Sequence, residues 1–194
     1  MWQMIVDTSS QRLYIAFIFN GEVKYCIDEM GKNNHSDYLM QDIEDGIEKL
    51  NINIKDFDEF IVGIGPGRYT GLRMGLTVLK MFSWTLKKPL FTLSSLDILS
   101  SAYYKTDGNY KVMLRAKRGY SYTKVVSIKS GVRKVIEEEK FSSDEEFLEK
   151  YPTELLIDNS NAKIDIVRIL SLKAEVMDIR GIEPNYLRTE QDVL

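Results

Sequence analysis

The chain is poor in the residues that most often carry chemistry. Its 194 residues include one cysteine, Cys26, and one histidine, His35. A single cysteine excludes a disulfide framework and a cysteine-based zinc site within one chain. A single histidine excludes a metal-binding histidine pair at helical spacing. It also leaves only His35 as the base of any Ser-His-Asp triad, and no spacing feature ties it to Ser9-Ser10 or Ser94-Ser95. No apolar run approaches the roughly twenty residues that a membrane helix needs. The opening Met1-Trp2-Gln3-Met4-Ile5-Val6-Asp7 lacks the basic head and long apolar body of a secretory signal, so the chain is expected to work in the cytoplasm. A formal charge of −3 gives it no electrostatic reason to hold nucleic acid tightly alone.

What is present describes a globular protein with a core of its own: 44% hydrophobic and 28% charged residues. The run from Gly63 to Gly75 carries five glycines and a proline. Phe60-Ile61-Val62, after the acidic Asp56-Phe57-Asp58-Glu59, reads as a buried strand ending at Gly63. Thr70 reads as the N-cap of a helix to about Leu86, and Pro66 keeps the preceding loop out of it. Glycine is retained where a Cβ has no room. Either the chain packs on its own backbone here or a ligand does. The known phosphate loops do not match. Gly71 is followed by Leu72-Arg73 rather than lysine and a hydroxyl residue, and Gly63-Ile64-Gly65 by Pro66-Gly67-Arg68. Contact of a nucleotide or carboxylate with the helix start, near Arg68 or Arg73, stays open.

From Leu72 to Leu86 apolar residues fall on almost every face: Leu72, Met74, Leu76, Val78, Leu79, Met81, Phe82, Trp84 and Leu86. Such a helix is buried on more than one side. Its surplus face, with Met74, Met81, Phe82 and Trp84, meets either another subunit or another part of its own domain.

Three strands are expected first, at 4–7, 13–19 and 22–28, the last two joined at Asn20-Gly21. Ser36 can cap a helix with Leu39, Ile43, Ile47 and Leu50 on one stripe. The strand at Phe60, the apolar helix, a strand at 90–93 and a helix from about 95 to 104 follow. After the turn signal Asp107-Gly108 come strands at 110–116, 120–128 and 132–139, a helix at 143–150, a strand at 155–157, a helix at 162–172 and a strand at 175–179. Two copies of βββαβα imply a duplicated α/β fold with mixed sheets and two lobes, residues 1–106 and 107–194. Arg115-Ala116-Lys117-Arg118 reads as a solvated basic turn offset by Glu137-Glu138-Glu139, with contact to a nucleic-acid or nucleotide phosphate as the alternative.

Five segments, in order and across most of the chain, carry a resemblance. They are Ile5-Val6-Asp7-Thr8-Ser9, His35-Ser36-Asp37-Tyr38-Leu39, Gly63 to Gly75, Pro89 to Ser95, and Glu183-Pro184-Asn185-Tyr186-Leu187-Arg188. The chain resembles the TsaB (YeaZ) family, accessory subunits of bacterial tRNA threonylcarbamoyladenosine (t6A) synthesis. That family belongs to the actin, sugar-kinase and Hsp70-like (ASKHA, ribonuclease H-like) superfamily.

The resemblance implies a scaffold for the catalytic subunit TsaD, with the ATPase TsaE docking on the pair and tRNA met only through the complex. Without its partner, the chain is expected to cover the surplus apolar face of the helix from Thr70 to Leu86 with a second copy, as a two-fold homodimer. The implied interface holds Ser36, Leu39, Ile43, Gly65, Pro66, Gly67, Tyr69, Thr70, Gly71, Leu72, Arg73, Met74, Val78, Met81 and Phe82. No intrinsic cofactor and no metal are expected; ATP or ADP near the subunit interface is left open, with Asp7, Thr8, Arg68 and Arg115 as candidate nucleotide or anion contacts. No catalytic residue is assigned. Asp7 is followed by Thr8-Ser9-Ser10-Gln11 rather than the glycine-bearing phosphate loop of ATP-using relatives, and reads as a turn cap or, alternatively, as the orienter of a metal-bound water. A small ATPase or kinase, or a peptidase, are the alternatives. Many relatives carry an Asp-Ala-Arg-like segment where this chain has Arg115-Ala116-Lys117-Arg118, and the second lobe looks trimmed.

Overall fold

The computed structural model describes residues 1–31 and 35–187, and the side chains of 35–37 lie outside that description, as does Arg188. Strands β1 (Trp2–Asp7), β2 (Arg12–Phe19) and β3 (Glu22–Met30) form an antiparallel meander. Asn20 and Gly21 turn between β2 and β3 with φ of 52° and 83°, a turn whose twist matches the strands it joins. β1 and β2 are buried on both faces and read as nearly unbroken apolar runs; β3, at the sheet edge, is mostly exposed.

Helix α1 (His35–Leu50) leads through a capped 3-10 turn at Ile54–Asp56 into β4 (Phe57–Gly63), which runs parallel to β1. Helix α2 (Tyr69–Leu86) then crosses over to β5 (Leu90–Leu93), parallel to β4. Helix α3 (Ser95–Ser100) tightens into a 3-10 turn at Ser101–Lys105 where one longer helix was expected. There follow β6 (Gly108–Lys117), β7 (Tyr120–Lys129), β8 (Val132–Ser143), α4 (Asp144–Lys150), β9 (Leu155–Ile157), α5 (Ile166–Leu172) and β10 (Ala174–Glu175). The first sheet has the order β10-β5-β4-β1-β2-β3 and the second β8-β7-β6-β9.

Several expected boundaries move. Helix α1 already includes His35, so Ser36 lies inside it rather than capping it. Thr70 is likewise inside α2, whose cap position is the extended Arg68 with no side-chain cap; the Arg68 carbonyl accepts the first helical bond from Leu72. Helix α5 starts only at Ile166, because the Asp165 side chain accepts from the Arg168 amide at 3.0 Å and fixes the start there. The last strand shrinks to Ala174–Glu175 and pairs antiparallel with β5 in the first sheet. Val176, Ile179 and Ile182 beyond it pack on the first core, which draws this segment away from the second sheet.

The first sheet buries both faces. Met4, Val6, Ile15 and Phe17 meet Leu39 and Ile43 of α1 and Leu76 and Leu79 of α2. The alternate residues Ile5, Ala16, Ile18 and Ile61 meet Ile98 of α3 and Ile169 of α5. All six residues of α3 are buried. Leu96 and Leu99 point the other way, into a core with Tyr110, Val112, Leu114 and Val126 under the second sheet, so α3 joins the two halves.

Candidate functional site

The turn after β1 sits on the start of α2. An added Cβ on Gly71 would lie 2.0 Å from the Thr8 carbonyl oxygen, and one on Gly67 would lie 2.3 Å from that of Ser9. No side chain fits at either distance. The backbone passing close to the glycine-rich run is therefore the chain's own. Polar bonds hold the contact: Thr8 Oγ1 donates to the Gly71 carbonyl at 2.7 Å and the Arg68 amide to the Ser9 carbonyl at 2.6 Å.

Asp7 serves this turn. Its Oδ1 accepts from the Ser9 amide at 2.8 Å and from Ser95 Oγ at 3.2 Å, while Ser95 Oγ accepts from the Gly65 amide at 3.1 Å. This is the turn-capping role. Asp7 and Thr8 are buried, and burial pushes the Asp7 carboxyl above the usual carboxylate range despite the hydrogen bonds that oppose the rise.

The C-terminal segment closes the junction from the other side. The Asn185 amide donates to the Ile64 carbonyl at 2.8 Å, and Tyr186 stacks on Tyr69 with ring centroids 5.2 Å apart. Lys80 Nζ donates to the Arg180 carbonyl at 2.6 Å, and the Arg180 guanidinium lies 4.2 Å from the Trp84 ring. At 3.6 residues per turn, Tyr69, Arg73, Lys80 and Trp84 share one flank of α2, Leu72, Leu76, Leu79 and Ser83 face the sheet, and Val78 and Phe82 lie on the opposite flank. That opposite flank is half-buried; Phe82 packs on Phe60 at 5.7 Å between ring centroids, and α1 packs beside α2. The sheet-facing side and the Phe82 flank of α2 are thus occupied within the chain, while the C-terminal segment covers the Tyr69–Trp84 flank only in part and leaves Trp84 51% exposed. The outward stripe keeps Met81, 48% exposed.

The expected interface residues divide accordingly. Leu39, Ile43, Gly65, Pro66 and Leu72 are buried in this chain, and Gly67 and Gly71 are pressed on the Thr8-Ser9 turn. Met74, Val78 and Phe82 are half-buried; Tyr69, Thr70, Arg73 and Met81 are exposed. The side chain of Ser36 is outside the described residues. Exposed Tyr38 and Met40 on α1 and Trp84 on α2, absent from the expected set, join Tyr69 and Met81 as accessible apolar groups.

Arg68 and Arg115, expected as anion contacts, do come together. They line one recess of about 480 Å³ with Ser10, Gln11, Ala116, Lys117, Arg118 and Asn159. Asp7 and Thr8 do not line it.

A second cluster escaped the sequence reading. Asp97 on α3 accepts from Lys124 Nζ at 2.8 Å, from Arg133 at 2.7 Å and from the Tyr104 hydroxyl at 2.7 Å. Lys124 also reaches Glu139 at 3.1 Å, and Ser94 Oγ and Asn185 Nδ2 donate to Glu139. Burial alone would raise the Asp97 carboxyl, but Lys124 and Arg133 outweigh it and hold it below its ordinary value. Glu139 therefore ties β8 to α3 and the C-terminal segment, and Glu137 pairs with Lys140 and Lys150. Of the acidic run expected to offset the basic turn at Arg115–Arg118, Glu137 and Glu139 are paired with other cations. The one available signal was Ser94 three residues before Asp97, a helix-start pattern that places a carboxylate in the first turn.

Residues 27–182 match the family model described as "TsaD: tRNA N6-adenosine threonylcarbamoyltransferase". The tRNA threonylcarbamoyladenosine biosynthesis protein TsaB of Bacillus subtilis (strain 168) is 31% identical over 129 residues, 66% of this chain and 56% of that protein. The chain belongs to the TsaD family, on its TsaB (YeaZ) branch. The TsaB of Buchnera aphidicola subsp. Schizaphis graminum is 26% identical over 121 residues, 61% of this chain and 57% of that one. The chain spans little more than half the length of these curated TsaB relatives. YeaZ from Pseudomonas aeruginosa superposes with a TM-score of 0.76 at 19% identity, covering 96% of this chain and 99% of the other. This TsaB-type chain therefore has the mixed α/β, ASKHA-like fold that its motifs imply.

Proposed function

We propose that the chain is a non-catalytic accessory subunit in the making of t6A. In this reading it holds TsaD, with TsaE as the ATPase of the set, while TsaD transfers threonylcarbamoyl to N6 of adenosine 37 in tRNAs that read codons beginning with A. One observation carries the reading: α1 and α2, packed side by side in a chain of the TsaB branch, leave Tyr38, Met40 and Met81 exposed on their outer surfaces. Methionine adapts its shape to a partner and is enriched at interfaces. ATP or ADP near that subunit interface belongs to the same proposal. The ATPase reading would need Asp7 to act on a ligand, and Asp7 is instead committed to Ser9 and Ser95.

Size-exclusion chromatography with light scattering, on this chain mixed with its cognate TsaD, tests the reading. A complex is expected for the wild type, and its loss for Met40→Asp with Met81→Asp. Substitutions at Gly71 or Leu72 would not serve, since both residues are packed inside the chain. No complex with the wild type, even with TsaE and ATP present, would overturn the proposal.

A further inference from the structure

We infer that Glu139 on β8 is the positioning residue for the entry to α2, so that the second sheet sets the pose of a helix packed on the first. The N-cap Arg68 makes no side-chain cap bond, and the start of α2 therefore depends on the backbone before it. The loop Ile64-Gly65-Pro66 leads into that start and is held from two sides. On one side Ser95 clasps Gly65: its amide donates to the Gly65 carbonyl at 2.8 Å, and its Oγ accepts from the Gly65 amide at 3.1 Å. On the other the Asn185 amide donates to the Ile64 carbonyl at 2.8 Å, and a Cβ added to Gly65 would lie 3.1 Å from the Asn185 carbonyl oxygen. Tyr186, next in the chain, stacks on Tyr69, the first residue of α2.

Both arms end on one carboxylate. Ser94, the neighbour of Ser95, donates from its Oγ to Glu139 Oε1, and Asn185 Nδ2 donates to Glu139 Oε2 at 2.9 Å. Lys124 on β7 fixes the same carboxylate at 3.1 Å, in a setting that leaves the Glu139 side chain 13% exposed. Hydrogen bonds to an ionised acceptor are roughly twice as strong as neutral ones, and this one is largely shielded from water. Glu139 is therefore the point where the two grips on the entry loop meet. A shift of that loop moves Tyr69 and, along a stiff helix, Met81 about three turns further on. The consequence for docking rests on the accessory reading; the positioning itself does not.

Amide hydrogen exchange of the full chain, read by NMR, tests it. Asn185→Asp sets a carboxylate against Glu139 and should release that arm, with exchange of the Gly65 and Arg68 amides about tenfold faster or more and the amides of β2 and α1 unchanged. Adding Glu139→Gln reverses the polarity of the bond: the new amide donates to the new carboxylate, and the remaining carbonyl oxygen still accepts from Ser94 and Lys124. The double variant should return both amides to within about twofold of wild type, whereas a role in overall stability alone would make the two changes additive. No change at Gly65 and Arg68 in Asn185→Asp, an equal change throughout β2 and α1, or a double variant that exchanges no more slowly than the single one would each overturn the inference. Calorimetric titration of the same variants with cognate TsaD should show affinity lost in Asn185→Asp and regained in the double variant. Exchange that recovers without affinity would overturn the step from positioning to docking. A wild type that does not bind TsaD would overturn the accessory reading instead, and the exchange pattern would still decide the role of Glu139.

Discussion

The Cα of Gly71 faces the carbonyl oxygen of Thr8 so closely that any Cβ there would lie 2.0 Å from it. The first strand and the second helix are joined backbone to backbone at this point, which makes the glycine-rich run a packing device for the chain itself.

Gly71→Ala should therefore destabilise the fold. Relieving the overlap must move either the start of α2 or the Thr8-Ser9 turn, at a cost of about 3 kcal/mol. For a chain of this size that corresponds to a drop in Tm of roughly 6–12 °C. A Tm within about 2 °C of wild type would mean that the helix start yields freely.

Lys124→Met should be among the most damaging single changes. It leaves Asp97 and Glu139 buried without their shared cation, and breaking a buried pair in this way costs about 3–5 kcal/mol. The cost should depend on pH. Asp97 has a folded pKa below its ordinary 3.8, so its contribution is present above that value and is lost as the pH falls through the folded pKa. Urea titrations at pH 7 and pH 3 should show the gap between wild type and variant shrinking in acid.

Asp7 has the opposite sign. Its folded pKa lies above 3.8 because burial dominates, so the ionised form weakens the fold as the pH rises through the folded value, and the penalty is absent below the unfolded one. Asp7→Asn keeps an oxygen for the Ser9 amide and Ser95 but removes the charge. Its stability relative to wild type should rise from pH 3 to pH 7, and an unchanged difference would show that Asp7 titrates as an ordinary carboxyl.

Lys80→Ala should loosen the C-terminal segment without unfolding the rest. Loss of the bond to the Arg180 carbonyl is worth about 1 kcal/mol, or roughly fivefold in local opening. Limited trypsin digestion should cut at Arg180 faster by that factor while cleavage within the sheets keeps its rate.

Self-association, if it uses the outward face of α2, should be broken by Met81→Asp alone. Light scattering at high protein concentration is expected to give a dimer for the wild type and a monomer for the variant. A monomeric wild type would leave the stripe without a use between copies of this chain.

Much of the fold was legible because its causes are local. Asn20-Gly21 prescribes a hairpin turn, Phe60-Ile61-Val62 prescribes a buried strand, and Leu155-Leu156-Ile157 is a strand on composition alone. Capping was less so. Ser36 and Thr70 have the right chemistry for caps, yet both lie within helices that begin earlier, and at α2 the entry is fixed by the bond from the Arg68 amide to the Ser9 carbonyl. The Asp97, Lys124, Arg133 and Glu139 cluster was not legible at all. Its pairs are separated by 27, 36 and 15 residues on different elements, and no periodicity connects them.

The sequence by itself determined the element types, the mixed α/β class, the family motifs and the need for close backbone contact at the glycine-rich run, because each follows from steric or hydrophobic preferences over a few neighbouring residues. Only the tertiary structure decided what makes that contact, which faces of α2 stay open, and that Arg68 and Arg115 line one recess that Asp7 does not line. Those outcomes depend on how distant segments pack, above all on the Thr8-Ser9 turn and the segment from Val176 to Tyr186. Exposure and charge convergence are properties of that packing rather than of any stretch of chain.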